Sequence, residues 1–188
     1  MGSLNNDSNT KSHSFSEITI ATWNANGLKP KEYEFASFLY KEKIDIALVT
    51  ETKLAPNTRI SLPDFKINRA DKMNYIKGGG TAIVIKKNIP HLPIGSNYEN
   101  TEIKIPSDIG DITIAALYSP PNYKNLTEDL QDNILQGPNY IIGGILTANF
   151  WHGNGIRIHN LADNYKFSVE VPGEPTYYPY NMKFKPGI

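Results

Sequence analysis

The chain has 188 residues, 39% of them apolar and 11% aromatic, which is the composition of a globular domain and excludes a low-hydrophobicity disordered chain. Lysine plus arginine and aspartate plus glutamate number 19 each, so no net field draws the whole molecule onto nucleic acid or an anionic membrane, and any such contact must be local. With no cysteine, a disulfide framework or a thiolate metal site is impossible, and an intracellular setting in the nucleus or cytoplasm is expected.

Residues 1–16 are rich in Ser and Asn and lack an apolar core, so they read as a disordered tail and not as a signal peptide or membrane span. A single domain is expected over residues 17–188, most simply a monomer with no membrane contact. Residues 17–23 put Ile18 and Ile20 on one face with Thr19 and Thr22 between them, the alternation of a strand. Pro30 then opens an amphipathic helix whose inner stripe would be Phe35, Phe38 and Leu39, flanked by Glu42. Residues 44–50 are apolar at almost every position, as in a strand covered on both faces.

Shorter strands follow at residues 65–68, 81–86, 101–105 and 111–118, separated by Gly, Pro and Asn. Leu126, Leu130 and Ile134 mark a second helix, and residues 140–143 a further buried strand. This order of elements predicts a layered α/β sandwich with helices outside the sheets. Gly78-Gly79-Gly80 precedes a strand and lacks a following Lys-Ser or Lys-Thr, so it is a turn and not a phosphate-binding loop.

Polar residues stand at the ends of the predicted core strands: Asn24 and Asn26 after the first, Glu51 after the second, Tyr118 after a later one. Such positions can converge on one crevice, where α/β sheets bind ligands, although Asn and Glu are also ordinary turn residues.

The blocks that hold these residues resemble a known family. Residues 20–28 (IATWNANGL) and 44–53 (IDIALVTETK), with one helix between them, are similar to the opening blocks of the endonuclease domains of jockey-like non-LTR retrotransposons, in the endonuclease/exonuclease/phosphatase family. Asn68-Arg69-Ala70-Asp71, Gly78-Gly79-Gly80-Thr81, Tyr118-Ser119-Pro120-Pro121 and Pro175-Thr176-Tyr177 match later blocks in order. The resemblance implies a two-sheet α/β sandwich of the pancreatic-DNase type and an ancestral Mg²⁺-dependent phosphodiesterase that nicks DNA. It also implies Glu51 and Asn26 on the metal, Asn24 and Tyr118 in catalysis, Arg69 and Thr176 on the substrate, and a reverse transcriptase module encoded alongside.

Two departures qualify that implication. Where the family carries Gly-Asp-x-Asn, this chain reads Gly144-Ile145-Leu146-Thr147, so the residues implied to activate water and fix the phosphate are replaced. The sequence also stops at Pro186-Gly187-Ile188, where the family continues into strands bearing an Asp and an Asp-His pair, so the C-terminal strands are expected to be missing. General-base help is worth ~10²–10⁴-fold. The expectation is therefore an impaired endonuclease-like domain with weak or lost Mg²⁺ binding and weak, salt-sensitive DNA binding. The alternatives are a non-catalytic module that binds nucleic acid or protein, or an element fragment without function.

Overall fold

The computed structural model describes residues 17–71, 79–97, 99–119, 128, 130–131, 137, 139–146 and 154–170. The chain divides into two compact units, residues 1–118 with 137–145, and residues 119–136 with 146–188.

The first unit holds two sheets. In the first sheet the strands run in the order β1 (Ile20–Asn24), β2 (Ile46–Thr50), β4 (Thr81–Lys86), β3 (Phe65–Ala70). β1 and β2 are parallel and the other pairs antiparallel. A parallel neighbour requires a crossover, and a 3₁₀ turn at Lys29–Lys31 followed by α1 (Glu32–Lys41) supplies it.

β2 is buried at every residue, and its two faces serve two cores. Ala47 and Val49 pack with Trp23, Phe35 and Leu39 beneath α1, whereas Ile46 and Leu48 meet Ile103, Ile105 and Ile114 of the opposite sheet. This is the physical reason that residues 44–50 are apolar without alternation. Phe38, expected inside, is 42% exposed: the covered stripe of α1 is Phe35 and Leu39, and Phe38 sits one step round the helix.

The second sheet runs β5 (Leu92–Asn97), β6 (Asn100–Ile105), β7 (Ile112–Ser119), β8 (Tyr140–Leu146). β5 to β7 are antiparallel neighbours. Thr113 N–H donates to Asn139 O, and Gly144 lies against Leu117, so β8 advances alongside β7 in the same direction. A Cβ on Gly143 would meet Leu48 Cδ1 at 2.5 Å, and one on Gly144 would collide with the Leu117 carbonyl. The two glycines are what let β8 lie this close. Residues 140–143, expected to be buried, form a partly covered strand with Ile141 41% exposed, because β8 lies at the end of its sheet as described.

At the opposite end from the strand termini that matter below, Asp45 ties three strands together. Its Oδ2 accepts from Thr19 N–H at 2.8 Å and its Oδ1 from Lys86 Nζ at 2.8 Å. In the second unit, α2 (Asn154–Tyr165) buries Ile158, Leu161 and Ala162 on one face. This helix is not among those expected from sequence, although the 158, 161, 162 spacing carries its signal. The helix expected through Leu126 and Ile134 lies mostly outside the described residues, as do the N-terminal tail and Thr176.

Candidate active site

The loops leaving β1 and β2 extend the parallel ladder past the strands. Ala25 N–H donates to Thr50 O, Gly27 N–H to Glu51 O, and Leu28 N–H to Thr52 O, all at 2.8–2.9 Å. On the other side, Thr52 and Lys53 donate to Gly80 O and Gly79 O at 3.1 Å each. Glu51 is therefore clasped between two loops while its own backbone is left-handed, with φ 50. Asn26 and Lys53 share that conformation, at φ 43 and 51. Non-glycine residues in this region carry strain that the surroundings must hold. Gly80, at φ +84, permits the approach, since a Cβ there would strike Thr52 Oγ1.

Local chemistry explains the first loop. Asn24 Oδ1 accepts from Asn26 N–H at 2.9 Å, an Asx turn that Asn-Ala-Asn-Gly favours because Asn tolerates the left-handed region and Gly27 follows at φ 100. The other end of the same amide is thereby aimed: Asn24 Nδ2 donates to Glu51 Oε1 at 3.3 Å. Asn24 thus positions the carboxylate from across the ladder.

Tyr118, one residue inside the end of β7, reaches the same carboxylate from the second sheet. Its hydroxyl is held above the ordinary tyrosine value by burial, then by the charges of Glu51 and Glu99, and by its hydrogen bond to Glu51. It stays protonated and donates. The Glu51 side chain keeps 20% of its surface open, and Lys53 Nζ stands 3.4 Å from its Oε2 while also donating to Asn26 Oδ1. Asn24, Asn26, Glu51 and Tyr118 are thus brought to one place.

Arg69 is placed differently. Its guanidinium donates to Thr58 O at 2.8 Å and Pro56 O at 3.0 Å, and pairs with Asp71 Oδ2 at 3.1 Å, so it braces the loop that leaves Glu51. It also edges a cleft of about 300 Å³ with Asn68, Pro93 and Glu102, which Glu51 does not line. Burial holds the Asp71 carboxyl above its ordinary value, with Arg69 opposing.

Among the described residues no group of three or more His, Asp or Glu side chains gathers to hold a metal ion. Mg²⁺ does not require one, because it is commonly held by one or two carboxylates with water and substrate oxygens completing the shell. The Lys53 ammonium already shows that Glu51 Oε2 and Asn26 Oδ1 face a common cation position, so the residues present fit the ion.

Lys53 belongs to the second family-like block but has no part in the site expected from sequence. The signal was there: Glu51 and Lys53 are two apart at the end of an extended segment. Beside this cluster, Gly144 abuts Leu117, which brings the backbone of Ile145 level with Tyr118.

Two mixed sheets sandwiched about one apolar layer, with a carboxylate clasped at the strand ends, define an endonuclease/exonuclease/phosphatase architecture, and the chain belongs to that family: its family model matches residues 21–177. Over 181 residues the chain is 30% identical to the RNA-directed DNA polymerase from mobile element jockey of Drosophila melanogaster, covering 90% of this chain and 20% of that protein. It is 28% identical over 183 residues to the probable RNA-directed DNA polymerase from transposon X-element of the same fly, again covering 90% and 20%. The chain thus spans about one fifth of these curated relatives. Among solved structures, the endonuclease domain of TRAS1, a telomere-specific non-LTR retrotransposon, superimposes with a TM-score of 0.69 at 15% identity, covering 86% of this chain and 77% of that one. A family protein from Leptotrichia buccalis gives 0.56 at 14% identity, covering 78% and 74%. The family is thus established for this chain, and its likeness to these retrotransposon proteins is one of sequence over that fifth and of fold.

Proposed function

We propose that this domain keeps the metal- and phosphate-holding half of a Mg²⁺-dependent DNA-nicking site and has lost its water-activating half. The observation that carries the reading is the convergence of Asn24 and Tyr118, from two different sheets, on the Glu51 carboxylate. A bound Mg²⁺ would neutralise charge on a phosphate oxygen. Glu51 and Asn26 would hold the ion, with Asn24 fixing the carboxylate's orientation. Tyr118, protonated at neutral pH, would offer its hydroxyl to a phosphate oxygen. Arg69 would serve the substrate by keeping the loop after Glu51 in place, and Thr176 by contacting DNA directly.

Nothing at Ile145 accepts a proton, so the position that the resemblance assigns to the water-activating carboxylate is silent. Loss of a general base costs ~10²–10⁴-fold, and loss of an oriented donor, as at Thr147, a further ~10²–10³-fold. The domain would act within a longer protein that carries a reverse transcriptase module, and where it meets chromosomal DNA it would do so in the nucleus.

Nicking of supercoiled plasmid in Mg²⁺ tests this reading. The expected rate is below detection, with Glu51→Gln indistinguishable from the unaltered chain. Nicking at the rate of an intact family member, abolished by Glu51→Gln, would overturn it, because that pairing excludes a contaminating nuclease.

A further inference from the structure

Among the described residues, Lys53 is the one charged group that touches both oxygens assigned to the metal. Its Nζ is 3.4 Å from Glu51 Oε2 and donates to Asn26 Oδ1, while the second carboxylate oxygen is taken by Asn24. The side chain is 37% exposed, so its ammonium can leave for solvent without repacking a core. Lysine suits such a part, being a compact point charge on a flexible four-carbon stem.

We infer that Lys53 is a tethered cation: it occupies the divalent-ion position between Glu51 and Asn26, keeps those oxygens converged in the metal-free chain, and competes with the metal for them. This rests on the reading of Glu51 as a metal ligand. An ammonium and a divalent ion on the same two oxygens would lie well within a Debye length of one another, where salt does not screen their repulsion. Entry of the ion therefore expels Lys53.

The probe is Mn²⁺, with free ion counted by electron paramagnetic resonance, on the whole chain. Lys53→Met is expected to bind Mn²⁺ about tenfold more tightly than the unaltered chain. Lys31→Met is the charge control: Lys31 Nζ bonds Ala25 O at 2.5 Å and touches neither oxygen, so affinity should stay within about twofold. Glu51→Gln should abolish binding. If Glu51→Gln abolishes binding but Lys53→Met leaves it unchanged or weaker, the tethered cation is wrong and the metal site stands. If Lys31→Met tightens binding as much as Lys53→Met, the effect is a general field and the inference fails. If Glu51→Gln binds like the unaltered chain, both readings fall. A measurement without substitution guards against a misfolded variant: on saturation with Mg²⁺ the Lys53 Hε resonances should average to free-lysine values, and resonances that stay put while Glu51 shifts would refute displacement.

Discussion

Glu102 lies on β6 with Asn100 Nδ2 donating to its Oε1, and burial raises its carboxyl above the ordinary value of 4.5 against the opposing pull of that hydrogen bond. The raised folded value means that folding favours the protonated form. Its contribution is complete below 4.5 and is lost as pH climbs through the folded value. Glu102→Gln, neutral at every pH, should therefore match the unaltered chain in acid and exceed it near neutrality by up to about 1 kcal/mol. Urea melts at both pH values check this; a difference that does not change with pH would show that charge is not the cause. The titration is a property of burial, which composition does not reveal. Asn24, Asn26 and Glu51, by contrast, were legible as polar residues closing apolar strands, and the Asx turn follows from Asn-Ala-Asn-Gly alone. What the sequence left dark was the direction of each group: that Asn24 faces the carboxylate, that Arg69 faces backbone carbonyls, and that Lys53 faces Glu51 Oε2 and Asn26 Oδ1 all depend on loops brought together from distant segments.

At the scale of elements, α1 and α2 end alike, with a lysine in the left-handed conformation where glycine is usual. Lys43 has φ 54, with its N–H on Tyr40 O and Ile44 N–H on Leu39 O; Lys166 has φ 58, with Phe167 N–H on Ala162 O. Lys43→Gly removes that backbone strain at some loss of attraction to the helix dipole, and a net gain of about 1 kcal/mol is expected. The urea midpoint should rise with an unchanged slope, and a fall would show that the lysine stem contributes more than its backbone costs. The strands most easily read were those with the simplest surroundings, β2 above all, covered on both faces. β5 escaped notice because Pro93 and Gly95 argue against a strand, and the structure shows why they are tolerated. β5 is the outermost strand of its sheet, its pairing with β6 shifts register between those residues, and Leu92 and Ile94 remain exposed. A proline and a bulge on an exposed edge discourage pairing with another chain.

For the whole molecule, charge balances in total, and among the described residues part of it also balances locally. Lys29, Lys41, Lys53, Arg69, Lys86 and Lys104 each pair with an acidic side chain. Phosphate contacts through these six must break a pair, and the chain has no net positive charge to offset that, so duplex DNA should bind no more tightly than about micromolar at physiological salt and more weakly as salt rises. Fluorescence anisotropy across a salt series measures it, and nanomolar binding that survives high salt would contradict it. No helix among the described residues is long and apolar enough to cross a membrane. A layered α/β sandwich was legible from the order of elements and its two-sheet form from the family resemblance, whereas the division into two compact units was not, since no change in composition marks it. The place of Glu51 has a last consequence. It follows directly on β2, which is bonded on both sides and buried throughout. Amide protons of such a strand exchange with solvent only when the entire sheet opens. The carboxylate cannot be shed by fraying, so the free energy of any ion it holds is transmitted whole to the melting temperature of the unit that carries it.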